Sequence, residues 1–137
     1  MSFTHYMENK ILDHVFGGGN YARPANLQVG LSVTQIQDDG SGMTEPAGEH
    51  GYARVQIPND SESWQSAETD TSEGRGVKTN KIAIEFPEAT ADWGAVTHFF
   101  LADGMNVIGH GMLDQVKDIR SGTVARFREG ELVITLD

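Results

Sequence analysis

The rhythm of the apolar residues is what most limits the folds open to this chain. From Leu27 onward they recur at every second position in short runs, and turn-forming clusters break the runs at intervals of about ten residues. Leu27, Val29, Leu31 and Val33 alternate with polar or small neighbours, the pattern of a strand with one buried face. The Asp38–Gly42 cluster supplies turn chemistry, and a second strand is expected over 51–57 before Pro58 stops it. The polar stretch from Asn59 to Gly76 is expected as an acidic surface loop with one short irregular strand around Trp64. Further on, Ile82, Ile84 and Phe86 share a face, and 97–102 and 106–113 form a hairpin around the Asp103-Gly104 pair. The segments 123–127 and 131–136 close the chain around a tight turn of Arg128, Glu129 and Gly130, with Leu132, Ile134 and Leu136 on one face.

One helix precedes these strands. Thr4 can cap it; Phe3, Met7, Ile11 and Val15 recur at spacing four, Leu12 and Phe16 widen the apolar face, and Gly17 to Gly19 end it. A helix this short is marginal alone in water, so it must dock on its own domain or on a neighbouring molecule. With no alternation of strand and helix, the expected fold is mainly β: an antiparallel β-sandwich or jelly-roll-like barrel with a short N-terminal helix. A chain of 137 residues suits one core. The expected division is an N-terminal helical arm and glycine linker over 1–19 and a β-sandwich domain over 20–137.

Residues 86–104, FPEATADWGAVTHFFLADG, interrupt the strand pattern. Pro87 suits the first turn of a short helix, and Gly94 would release the chain into the next strand. Trp93 would then fold over the open end of the sandwich as a structural plug, its N–H satisfied by a loop carbonyl, with Phe99 in the core behind it. The rival is convergence of Trp93, Asp92 and His98 on a sugar. Alternation argues against it, since His98 falls on one face with Phe100 while Phe99 falls on the other with Leu101.

Composition narrows the chemistry. Twenty acidic against ten basic residues give a net charge of −10, which repels phosphate backbones, so no nucleic-acid partner is expected. There is no cysteine, hence no disulfide and no thiolate chemistry. No apolar run approaches the roughly 18 residues of a membrane-spanning helix, and MSFTHYMENK lacks the pattern of a secretory signal, so the expectation is a soluble protein made in the cytoplasm. His5, His14, His50, His98 and His110 are scattered rather than set at ligand spacing, so no metal site is expected. Gly17–Gly19 follow a helix and lack the lysine of a phosphate loop, and Asp38 and Asp39 lack the alternating acids of a calcium loop. No catalytic residue and no cofactor is expected. An enzyme such as a cell-wall hydrolase would have to rest on Asp92 or Glu88.

The segments MENKILDHVFGG, LQVGL, GYARVQI, FPEATADWGAVTHFFLADG and LVITLD, in that order, resemble a family of small tailed-phage virion structural proteins, labelled tail-fibre-like or as capsid decoration (cement) proteins. The 86–104 segment carries most of the specificity. The long acidic stretch over 59–76 and the short ADG hairpin depart from the family pattern. The resemblance implies localisation in the virion after synthesis in the host cytoplasm, and a non-enzymatic capsid decoration protein that binds the major capsid protein as a homotrimer. Phe3, Met7, Ile11 and Val15 of the arm are then the expected partner-binding anchors, unless they pack on their own sandwich. The alternative is a tail-fibre-like protein recognising host glycans through Trp64, Trp93 or the acidic loop.

Overall fold

Thr4 is the residue at which strand becomes helix. In the computed structural model, which describes residues 1–137, Ser2–Phe3 (β1) is extended and Thr4 caps the helix His5–Val15 (α1), accepting the Met7 N–H at 3.4 Å. Phe3 therefore lies in a strand and not in the helix whose spacing it shares. The Thr4 hydroxyl also donates to the Val107 carbonyl at 2.6 Å, which ties the helix start to the sheet. The helix stops at Phe16, after which Gly17 and Gly18 take φ of +98° and +97°, values few other residues adopt.

The strands that follow are Asn26–Ser32 (β2), Val55–Pro58 (β3), Glu68–Asp70 (β4), Arg75–Thr79 (β5), Ile84–Glu85 (β6), Gly94–Ala102 (β7), Val107–Ile119 (β8), Arg126–Phe127 (β9) and Val133–Leu136 (β10). They form three antiparallel sheets: a five-stranded one in the order β1-β8-β7-β2-β3, a three-stranded one in the order β10-β5-β4, and the pair β6-β9. The arrangement is sandwich-like, as the alternation implies.

The main core lies between the large sheet and the smaller ones. Val29, Leu31, Phe99 and Leu101 from β2 and β7 meet Ile84, Phe86, Phe127 and Leu132. A chain of aromatic contacts runs through it, with Trp93 edge-on to Tyr52 at 5.3 Å, Tyr52 stacked on Phe86 at 6.2 Å, and Phe127 joining Phe86 to Phe99 at 6.4 and 5.6 Å. The opposite face of β7 is buried too, because the segment after β2 folds over it. Phe100, Ala102 and Ile36 form a second small cluster there, and Arg54 lies 4.8 Å over the Phe100 ring while forking onto the Glu45 carboxylate. Burial on both faces explains why 99–102 reads as an unbroken apolar run. The Phe100 ring lies so close over Gly30 that a Cβ there would sit 2.1 Å from it.

Several local expectations give way to long-range bonds. No helical turn follows Pro87: the N–H groups of Ala89, Thr90 and Trp93 go to the carbonyls of Thr123, His50 and Ile119, partners no local helix could offer. The strand expected over 51–57 is confined to β3, because a 3-10 turn at Gly48–His50 and Gly51 at φ +87° carry the preceding residues out of the sheet. The Tyr52 hydroxyl takes the vacated place, accepting the Leu31 N–H at 3.0 Å.

The polar stretch 59–76 holds a hairpin, β4 and β5, whose turn is tied by Asp70 accepting from the Ser72 N–H, the Ser72 hydroxyl and the Glu73 N–H. Trp64 forms an isolated bridge with Asn80. The β7–β8 connection spans Asp103 to Asn106 rather than two residues, and β8 runs on to Ile119. The turn at Arg128–Glu131 is present, but the strands on either side of it do not pair: β9 joins β6 and β10 joins β5. Asn80 separates them. Fully buried, its amide donates to the Ile82 and Arg128 carbonyls and accepts the Leu132 N–H.

Candidate assembly surface

The first turn of α1 is anchored and the last is not. Thr4 N–H and His5 N–H bond the carbonyls of Ile108 and Asp38, and Phe3 and Met7 pack against the main core. Ile11 is half-buried. Beyond it, Leu12, Val15 and Phe16 are 54%, 62% and 71% exposed, and α1 buries no residue completely. At 100° per residue, Ile11, Val15, Leu12 and Phe16 form one continuous apolar stripe on the outer half of the helix.

Two depressions open along β10, the first of them beside this stripe. One, of about 410 Å³, lies between α1 and the end of β10, walled by Phe3, Ile11, Leu12 and Leu136 with Glu8 and Asp38 at its edge. The other, of about 560 Å³, lies between β10 and β8 over Phe99, Leu113 and Phe127. Met1 and Thr135 border both, so the two make one trough along β10.

The far wall is a distortion of β8. Val96 pairs with Lys117 and His98 with Met112, so Thr97 alone faces Leu113, Asp114, Gln115 and Val116. Extra residues on one strand bend it outward, leaving Met112 and Val116 73% and 65% exposed. Glu8, Asp38, Asp114, Glu131 and Asp137 line the trough against Arg75 and Lys117, so its walls are acidic around an apolar floor.

The other residues singled out from the sequence lie apart from this surface or beneath it. Trp93 is buried, its indole N–H donating to the His50 carbonyl at 2.8 Å, and Phe99 is buried under the trough floor. Trp64 is buried as well, so neither tryptophan offers a face to a sugar from solvent. His98 bonds Thr97 while Trp93 is held by His50 and Tyr52, so the two do not converge. Burial, and then the neighbouring His110, hold His98 below the ordinary histidine range. His110 sits 2.9 Å from the Asp38 carboxylate, His14 accepts the Tyr21 N–H, and His50 contacts the Asp92 carbonyl. The Asp92 carboxylate accepts the Ser121 N–H.

Sequence reasoning missed Met112, Val116 and Leu136 as surface apolar residues. The one signal for the first two was the loss of clean alternation across MLDQVKDI. The space over Leu31, Phe86 and Val96 amounts to only about 20 Å³, room for a water-sized molecule.

Together these features define a mainly β, sandwich-like domain with a tied helix start, a bare helix end and an open trough. The chain belongs to the family described as Podophage GP4 fiber I protein gp80, whose model matches residues 2–135. It is thereby a member of a family of tailed-phage virion structural proteins. A comparison with curated proteins returned no match.

Proposed function

We propose that the chain is a non-catalytic, fibre-type subunit on the exterior of a tailed-phage particle, acting as a homotrimer. Its copies meet through the outer half of α1, and the trough along β10 holds its attachment point on the virion. The observation that carries this is the bare apolar stripe of Leu12, Val15 and Phe16 on a helix whose other end is bonded into the sheet. Contiguous apolar surface bordered by charge marks contact sites. Of the anchors expected from sequence, Ile11 and Val15 serve contact between copies, while Phe3 and Met7 hold the helix in place. The description of the family as a fibre protein favours the fibre placement over the shell.

A decoration subunit seated on the major capsid protein is the second reading, favoured by the acidic walls of the trough, which fit a basic patch on a capsid surface. Gold-labelled antibody or cryo-EM density on intact particles separates the two. Signal confined to the tail supports the fibre, a lattice of signal over the shell supports decoration, and absence from the particle overturns both. For the trimer, sedimentation should give three copies for the parent chain and one for a Val15→Glu, Phe16→Glu double variant. A monomeric parent would end that part of the proposal.

A further inference from the structure

Both walls of the trough are strand edges with unmatched main chain. On one side, β10 pairs only with β5 and ends its sheet. Leu132 turns its carbonyl toward Asn80, whose N–H reaches it at 3.4 Å, and the Thr79 carbonyl turns the other way to accept the Gln65 N–H. Peptide groups of an antiparallel strand alternate in direction, so those of Ile134 and Leu136 face β5, while those of Val133 and Thr135 face the trough and meet no main-chain partner. On the other side, β1 covers only Gly109 and His110 along the outer edge of β8. The Thr4 N–H bonds the Ile108 carbonyl, so the same alternation turns His110 and Met112 outward, and β1 stops short of Met112.

Met1 shows what fits between the two edges. A Cβ on Gly111 would lie 3.4 Å from the Met1 Cα, and the Thr135 hydroxyl donates to the Met1 carbonyl at 3.4 Å, so this residue of extended chain stands between β8 and β10. Past Met1 the lane stays open, about 560 Å³ over Phe99 and Phe127, with Met112 on one bank and Val133 and Thr135 on the other. Its border is acidic. Asp114 and Glu131 stand on the two sides, and Glu8, Asp38 and Asp137 continue the border past Met1. Of the two cations there, Arg75 lies 3.7 Å from Asp70, which leaves Lys117.

We propose that this lane receives an extended segment of another polypeptide of the particle, which adds a strand of about five residues between β8 and β10. Its apolar residues lie over Phe99 and Phe127, and the lysines or arginines that alternate with them face the acidic border. A helix has already spent its backbone groups and leaves both edges unmatched, whereas a strand satisfies the two at once. A second copy of this chain is the poorer occupant, because its net charge of −10 meets a border of the same sign. This occupant rests on the reading of the trough as the attachment point on the virion, and gives that attachment a form and a chemistry.

The test pans a yeast-displayed library of short random linear peptides against the purified full chain. Enriched sequences are expected to alternate apolar residues with lysine or arginine and to lack proline. The strongest of them, synthesised, should bind saturably and slow amide exchange at Met112, Val133 and Thr135. Methylating its alternate peptide nitrogens, which leaves the side chains unchanged, should weaken binding by about tenfold or more. Thr135→Pro removes an N–H that β5 does not use, so it should also cost about tenfold in affinity with little change in Tm; if that variant fails to fold, the methylated peptide decides alone. Asp114→Lys, at an exposed position, should weaken the basic peptide and flatten its salt dependence. Enrichment of helical or acidic patterns, full binding by the methylated peptide, or exchange protection confined to other amides would overturn the proposal. So would protection of Val133 and Thr135 that grows with the concentration of the chain alone, since the lane would then belong to a second copy. Imaging of intact particles decides the virion placement without any peptide, so loss of the added strand leaves that placement standing.

Discussion

Trp93 donates its indole N–H to the carbonyl of His50 at 2.8 Å, joining the segment before β7 to the turn before β3 across 43 positions of sequence. Each side of that bond satisfies a group the other buries. The Thr90 N–H reaches the same carbonyl at 2.9 Å, so one oxygen serves two donors from a segment with no secondary structure of its own.

Truncation of Trp93 should therefore cost both packing and bonding. Trp93→Ala is expected to lower unfolding free energy by about 3–5 kcal/mol. Trp93→Phe, which keeps a ring against Tyr52 but loses the donor, should cost about 1–2 kcal/mol. Urea denaturation checks both. Equal losses for the two variants would mean that volume contributes little and that the bond to His50 dominates.

Tyr52 replaces a missing strand. Its hydroxyl accepts the Leu31 N–H at 3.0 Å and donates to Glu45 at 2.7 Å, in a buried setting that raises its pKa through desolvation above all. Tyr52→Phe strands a buried backbone donor and should cost about 1–3 kcal/mol. Amide exchange at Leu31 should speed up in the variant. Unchanged exchange there would show that another acceptor takes the N–H.

Gly30 leaves room for a ring and nothing else. A Cβ at that position would lie 2.1, 2.4 and 2.8 Å from atoms of Phe100, which is fully buried and has nowhere to move. Gly30→Ala should destabilise by about 1–3 kcal/mol or more, and Phe100→Leu in the same chain should recover part of the loss. Thermal melts of the two variants decide it. A double variant less stable than Gly30→Ala would place the strain elsewhere.

Acid should weaken the fold through His98. Burial and His110 depress its folded pKa, so as pH falls below the ordinary histidine value of about 6.5 the unfolded chain takes up the proton first. The stability present above that value is lost as pH falls toward the folded pKa. His98→Asn should flatten the decline of Tm between about pH 7.5 and pH 5. The control is His110→Asn, which also removes the neighbour and its contact with Asp38. A slope identical to the parent in His98→Asn would assign the acid response to other groups.

The strands easiest to read in the sequence were those with one buried face. Leu27, Val29 and Leu31 announce β2 because water lies on one side of each pleat and the core on the other. The β4–β5 hairpin stayed hidden because no residue of its two strands is fully buried, so no apolar period marks it. The helical turn expected after Pro87 failed for a different reason. Proline permits such a turn, but the N–H groups that would close it are taken by Thr123 and Ile119, more than twenty residues away in sequence. Of the candidate assembly surface, the apolar stripe of α1 was visible as a spacing. Its exposure was not, and the trough was invisible because β8 and β10 come from distant parts of the chain.

The amino-acid sequence by itself determined a mainly β, acidic chain with a helix starting at Thr4, since alternation, capping and charge are properties of neighbours along the backbone. Tertiary structure decided that Phe3 and Met7 face the core while Val15 and Phe16 face water, that Trp93 spends its donor on His50, and that β8 bends away from β7 to open the trough. Those outcomes depend on which distant strands arrive over each residue, and pairing energies between strands far apart in sequence leave no local period to read.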